Sequence, residues 1–225
     1  MQDDRVQDLV EAVKPRLRGV LHEAAFAVSL ITGTALIILA EGARATTAAT
    51  VYAVSVALLF GTSAAYHRGT WSPRGTAVME RLDHSMIFVL IAGTYTPFAL
   101  LLLEGTTRWV VFGLVWGGAT LGILARNLLP QRGRWLFTGL YLALGWVALG
   151  VLPSLLRGGG AFVLSMIVLG GVFYSLGAVV YARQRPDPSP HWFGYHEVFH
   201  AFTLLAFAAH YIAVSAATYG YSAPS

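Results

Sequence analysis

Seven stretches of about twenty residues, at 22–40, 47–66, 83–103, 109–125, 135–152, 161–182 and 196–216, are predominantly apolar and nearly free of charge. An α-helix needs ~20 such residues to cross the ~30 Å hydrocarbon core of a bilayer. Backbone inside lipid must also satisfy its own hydrogen bonds, which leaves the helix and the closed barrel as spanning structures. The pattern therefore predicts an all-α protein, a bundle of seven transmembrane helices. Composition agrees, since 56% of the 225 residues are hydrophobic and only 12% are charged, far from the mixture of a soluble domain. The breaks carry charge or turn residues, as in "EGARA", "RNLLPQRGR" and "RQRPDPSPHWFG".

This division assigns residues 1–20 to a cytoplasmic amino-terminal segment, 21–217 to the transmembrane core and 218–225 to a short external tail. In the first segment Val6, Leu9, Val10, Val13 and Leu17 recur at helical spacing, interrupted at Pro15. They predict either a short amphipathic helix on the membrane surface or an unstructured tail. Asp3, Asp4, Asp8 and Glu11 are incompatible with a secretory signal, so this segment is expected to be retained. No extramembrane domain fits between the spans, and no internal repeat is visible.

Arginine and lysine accumulate in cytoplasmic loops, and this bias sets orientation. With the amino terminus inside, twelve basic residues lie on the cytoplasmic side (Arg5, Lys14, Arg16, Arg18, Arg68, Arg74, Arg81, Arg126, Arg132, Arg134, Arg183 and Arg185). Three lie outside: Arg44, Arg108 and Arg157. The carboxyl terminus is then expected outside, the reverse of a G-protein-coupled receptor. A net charge of only +4, with the arginines committed to loops, speaks against nucleic-acid binding.

Ionisable residues inside a bilayer are costly and mark function. His67 ends the second span, Asp83 begins the third, and His196 and His200 begin the seventh, all on the expected cytoplasmic side. With no cysteine in the chain, a transition-metal site must be built from histidine, carboxylate and water. Three imidazoles with an open fourth position suit zinc. His196 and His200, four residues apart, share a helix face, and His67 would complete the set. Ser63, one turn before His67, is placed to bond a zinc-bound water or a substrate carbonyl. Asp83 is placed to orient that water or take its proton.

The stretch "HEVFH", residues 196–200, also reads as the HExxH of zinc proteases. Those enzymes take a third ligand downstream, commonly an acid or a histidine. No acidic residue follows Glu197, and His210 is misplaced for the longer form of the motif. Glu197 also stands about 100° around the helix from His196, so it is read as incidental.

The other histidines are assigned elsewhere. His84, beside Asp83, is expected to bridge helices or support the site from behind. His191 falls in a proline-rich loop and is expected in solvent. His210 is fourteen residues past His196, about 21 Å along the helix, and is expected to line a polar cavity open to the outside. His22 and Glu23, at the start of the first span, are expected at the interface rather than bordering the site. In "IAGTYTPF", Pro97 predicts a kink in the third span, with Thr94 and Thr96 able to bond freed carbonyls. Glycines at 113, 117 and 118 and at 170, 171 and 177 predict close helix packing.

"SAAYH", "RLDHSMIFVLIAGTYTPF" and "FGYHEVFHAF" together resemble the hemolysin III family, the bacterial branch of the progestin and adipoQ receptor group. The resemblance covers residues 20–216. It implies a seven-helix bundle in the bacterial inner membrane, with an interior amino terminus. It further implies zinc on His67, His196 and His200, with Ser63 and Asp83 alongside, the aspartate acting through water. Through a likeness to alkaline ceramidases it implies zinc-dependent hydrolysis of a lipid amide or ester, with membrane lipids as partners and source of substrate. The alternatives are a non-enzymatic sensor, receptor or channel with a structural zinc, and the pore-forming cytolysin of the family name. A short amino-terminal segment separates the chain from the animal receptors and weighs against a protein-hormone receptor.

Overall fold

The structure is a computed structural model that describes residues 15–129 and 132–221. Most of the expected amphipathic segment and the end of the external tail lie outside the described residues. The described chain is helical throughout, apart from short connections. The α-helices are α1 (Val20–Ile38), α2 (Gly42–Arg68), α3 (Pro73–Pro97), α4 (Gly105–Leu128), α5 (Arg134–Gly145), α6 (Leu152–Arg183) and α7 (Tyr195–Tyr219). A π-helical turn, Phe98–Leu102, extends α3, and a 3₁₀ segment, Trp146–Val151, joins α5 to α6.

Among the described residues, six helical runs are long and apolar enough to cross a membrane. One of them, Arg134–Arg183, is 50 residues long. Drawn straight it would measure about 75 Å, more than twice the hydrocarbon thickness. It is not straight. Gly160 takes φ 73° and ψ 176°, a conformation open almost only to glycine. Beyond it the chain returns: Arg134 Nε donates to the Ala182 carbonyl at 3.0 Å and Trp146 Nε1 to Ser175 Oγ at 2.9 Å. The two halves therefore lie side by side.

The apolar runs locate the helices but understate their length. The third was expected to begin at 83, yet α3 starts at Pro73. Ser72 caps it by accepting from the Gly75 N–H at 3.2 Å, and Pro73 fills a first-turn position where no N–H is needed. Asp83 is therefore ten residues inside a helix, not a charge at its start. The kink expected at Pro97 takes the form of the π-helical turn. Thr96 Oγ1 bonds the Ala92 carbonyl at 2.9 Å and accepts from Trp116 Nε1 at 3.1 Å.

Side chains sort as they do in a bilayer protein. Tyr52, Phe60, Phe88, Leu103, Val115 and Val214 fill the interior, while Ile31, Ile38, Leu121, Leu128, Trp109 and Trp135 are exposed on the outer surface. Such outward apolar surface is unfavourable in water and neutral in lipid. Small residues let helices approach: a Cβ on Gly122 would fall 2.3 Å from the Phe88 ring, and one on Gly93 2.0 Å from Ser55 Oγ. The 3₁₀ interruption also has its backbone groups met. Tyr95 Oη donates to the Gly145 carbonyl at 2.6 Å and accepts from the Ala148 N–H at 2.7 Å.

Candidate metal centre

His67 lies in the last turn of α2, and His196 and His200 in the first two turns of α7. Their ligand nitrogens all fall within 4.8 Å of one another. His67 Nε2 and His196 Nε2 are 3.1 Å apart. Two imidazole nitrogens bonded to one tetrahedral ion at ~2.05 Å would be separated by about 3.3 Å, so this pair already has ligand spacing. His200 Nδ1 is sealed from solvent and has no hydrogen-bond partner among the described residues. Three neutral nitrogen donors converging from two helices fit a borderline-soft divalent ion such as zinc.

The structure brings the other two expected residues to the same place. Asp83 Oδ2 stands 3.9 Å from His67 Nε2, too long for a direct hydrogen bond and suited to one intervening atom. Ser63 is buried and its Oγ is 2.8 Å from His22 Nδ1. His22 differs from its expected interfacial position. It is buried, and its ring stacks on His200 with centroids 3.6 Å apart and planes 11° from parallel. A histidine in the first turn of an apolar span is the signal that identifies it.

Glu197 also proves structural rather than incidental. It is fully buried, its Oε2 accepts the Gly194 N–H at 2.8 Å, and its Oε1 pairs with Arg18 Nε. The readable signal was a helix start with Glu at the third position, the acidic half of a capping box. Arg18 belongs to a strap, Pro15–Gly19, that lies on the loop before α7. Arg16 N–H and Leu17 N–H donate to the carbonyls of His191 and Trp192 at 3.0 and 3.2 Å, and the Arg16 guanidinium sits 4.6 Å over the Trp192 ring. Gly19, at φ 82°, closes the strap where a Cβ would fall 2.6 Å from that of His67. His191 is exposed in its loop.

His84 bridges helices: Nδ1 is 2.7 Å from the Glu80 carbonyl and Nε2 3.0 Å from Tyr181 Oη. Arg126, read from the sequence only as a loop charge, is buried, bonds Glu80 at 2.7 Å and lies 5.1 Å over the Phe137 ring.

His196 and His200 open onto a cavity that Ser63, Asp83 and His22 also line. Beyond these its walls turn apolar, with Ile87, Leu90, Ile91, Leu142, Trp146 and Phe199 among them. The histidine triad therefore lies at one end of a mostly apolar chamber. Such a chamber suits an acyl chain better than a peptide, whose backbone groups would be left without partners.

Residues 10–211 match the family model described as Haemolysin-III related. The chain is 35% identical over 168 residues to "Hemolysin-3 homolog" of Bacillus subtilis (strain 168), covering 73% of this chain and 74% of that protein. It is 32% identical over 162 residues to "Hemolysin-3" of Bacillus cereus, covering 72% and 71%. It is also 26% identical over 168 residues to "Monocyte to macrophage differentiation factor" of Homo sapiens, covering 73% and 67%. With its long apolar helices and its bacterial relatives, this is a multi-pass membrane protein consistent with the bacterial inner membrane. The chain belongs to the haemolysin-III related family, within the progestin and adipoQ receptor group.

Proposed function

We propose that this protein is a seven-span, zinc-dependent hydrolase of a lipid amide or ester, with its site at the cytoplasmic face. The observation that carries the reading is the histidine triad, two of whose members, His196 and His200, line an apolar chamber. Seven spans follow if the run Arg134–Arg183 is counted as two helices joined at Gly160. Twelve basic residues against three favour a cytoplasmic amino terminus.

His67, His196 and His200 would hold the ion. Zinc, when bound, polarises a carbonyl and lowers the pKa of a coordinated water into the neutral range. The chain's own groups supply the rest. Asp83, 3.9 Å from His67 Nε2, is the acceptor for a proton released beside the triad. Ser63, held by His22, presents its hydroxyl to the substrate carbonyl. The chamber takes the acyl chain and excludes water from it.

A second reading draws on the same geometry. The triad ties α2 to α7, as a structural zinc in a sensor, receptor or channel would, and the name of the Bacillus cereus relative, Hemolysin-3, points to a cytolysin. Zinc analysis of purified protein, coupled to lipid-hydrolysis profiling of wild type, His196→Ala and Asp83→Ala, separates the readings. The hydrolase predicts zinc in wild type, loss of zinc in His196→Ala, and loss of turnover with zinc retained in Asp83→Ala. Absence of zinc from the wild type would end the proposal. Zinc without turnover, its removal lowering only thermal stability, would favour the structural reading, and liposome conductance that survives Asp83→Ala would favour the pore.

A further inference from the structure

The end of the bundle that carries the triad also carries two arginines that no acidic side chain answers. Arg134 begins α5 and Arg183 ends α6. Both are exposed, and neither forms an ion pair among the described residues. The acids at this end are committed elsewhere. Glu80 pairs with Arg126, Glu23 with Arg68 and Glu197 with Arg18, Asp83 stands beside His67, and Asp187 accepts the Tyr195 N–H.

The return of the chain brings the two cations to one place. Arg134 Nε donates to the Ala182 carbonyl at 3.0 Å, which sets its guanidinium beside residue 183. A guanidinium has five N–H donors, so four on Arg134 and all five on Arg183 bond nothing among the described residues. The first turn of α5 contains no acid. The carboxyl end of α6 supplies only about half a negative charge against two full positive ones.

Along the same helices the outer surface is apolar. Val172, Leu176, Val179 and Arg183 follow at spacings of four, three and four residues and so share one face of α6. Its three apolar members are exposed, as are Trp135, Leu136 and Leu140 on the neighbouring α5. The arginines therefore stand at the head of an exposed apolar strip, with a tryptophan of the kind that settles at the headgroup level of a bilayer.

We propose that the outer junction of α5 and α6 binds an anionic phospholipid, its phosphate held by Arg134 and Arg183 and its acyl chains laid along the two helices. Guanidinium forks match phosphate oxygens in pairs, and basic sites between membrane helices suit anionic headgroups. A free phosphate would leave the apolar strip unused, and a zwitterionic headgroup would bring a cation toward two others. Neither arginine lines the chamber, so the site is independent of the triad and of turnover.

The test is native mass spectrometry of the full-length protein in detergent micelles, titrated with phosphatidylglycerol, phosphatidylcholine or glycerol phosphate. Wild type should bind phosphatidylglycerol more tightly than the other two. One arginine beside a headgroup is worth about fivefold in affinity. Arg183→Gln should therefore lower phosphatidylglycerol affinity about fivefold, and the double variant Arg134→Gln, Arg183→Gln about twenty- to thirtyfold, with phosphatidylcholine unchanged in both. Arg44→Gln, Arg157→Gln removes the same charge from the opposite end of the bundle and should change neither affinity.

An equal loss in that control reduces the effect to net charge and overturns the site, as does unchanged phosphatidylglycerol affinity in Arg183→Gln. Equal affinity of wild type for the two phospholipids overturns the headgroup assignment. Glycerol phosphate binding as tightly as phosphatidylglycerol overturns the lipid in favour of a free anion. Arg183 makes no bond within the fold, so Arg183→Gln decides the question even if Arg134→Gln, which loses its bond to Ala182, does not fold.

Discussion

Replacing Glu197 separates its structural role from the catalytic role that HExxH implies. The carboxylate is fully buried and holds two partners, the Gly194 N–H at 2.8 Å and Arg18 Nε. Removing one member of a buried ion pair costs about 3–5 kcal/mol when the other charge stays buried. The Arg18 side chain is 19% exposed, so water recovers part of that loss. Glu197→Ala is expected to cost about 3 kcal/mol, where a charge-assisted hydrogen bond alone is worth about 1.5–3 kcal/mol. Glu197→Gln keeps an oxygen for Gly194 and is expected to cost about half as much.

For a chain of this size about 3 kcal/mol corresponds to a fall in Tm of about 6–12 °C. The assay is thermal unfolding in detergent, with zinc content and lipid turnover measured below the transition. Both variants should lose Tm and keep zinc. The double variant Arg18→Met, Glu197→Gln should cost less than the sum of its parts, because the two side chains share one interaction. A Glu197→Gln protein with unchanged Tm but lost turnover would refute this account and restore the protease-like role of the glutamate.

Two further outcomes follow from the packing. Tyr95→Phe removes the hydroxyl that serves both the Gly145 carbonyl and the Ala148 N–H; thermal unfolding should show a loss of about 1–3 kcal/mol, with zinc content unchanged. Gly122→Ala drives a Cβ to 2.3 Å from the Phe88 ring, and should cost about 1–3 kcal/mol, whereas Gly113→Ala, with no heavy atom near its Cβ site, should leave Tm unchanged or slightly higher.

Much of this molecule could be read from local pattern. Apolar runs place the helices because a bilayer demands length and hydrophobicity of each segment by itself. The triad was legible for a related reason. His196 and His200 share a face by helix geometry alone, and charge placement sets their depth level with His67 and Asp83. The fold-back at Gly160 falls between two runs already separable in the sequence, at "PSLLRGGG".

What the tertiary structure decided is which faces meet. A helix that is apolar all round carries little periodic signal to say which side turns inward, so the burial of His22 against His200, and its hold on Ser63, could not be read from α1 alone. Glu197 reads as incidental once no downstream ligand completes a protease and it stands off the ligand face, while its partner Arg18 lies 179 residues away. His210 is set by α6, where a Cβ on Gly170 would fall 2.2 Å from its ring and the Ile167 carbonyl lies 3.0 Å from its Nε2. Hydropathy and spacing act along one helix at a time; hydrogen bonding and burial depend on rotations and neighbours that only the packed bundle sets.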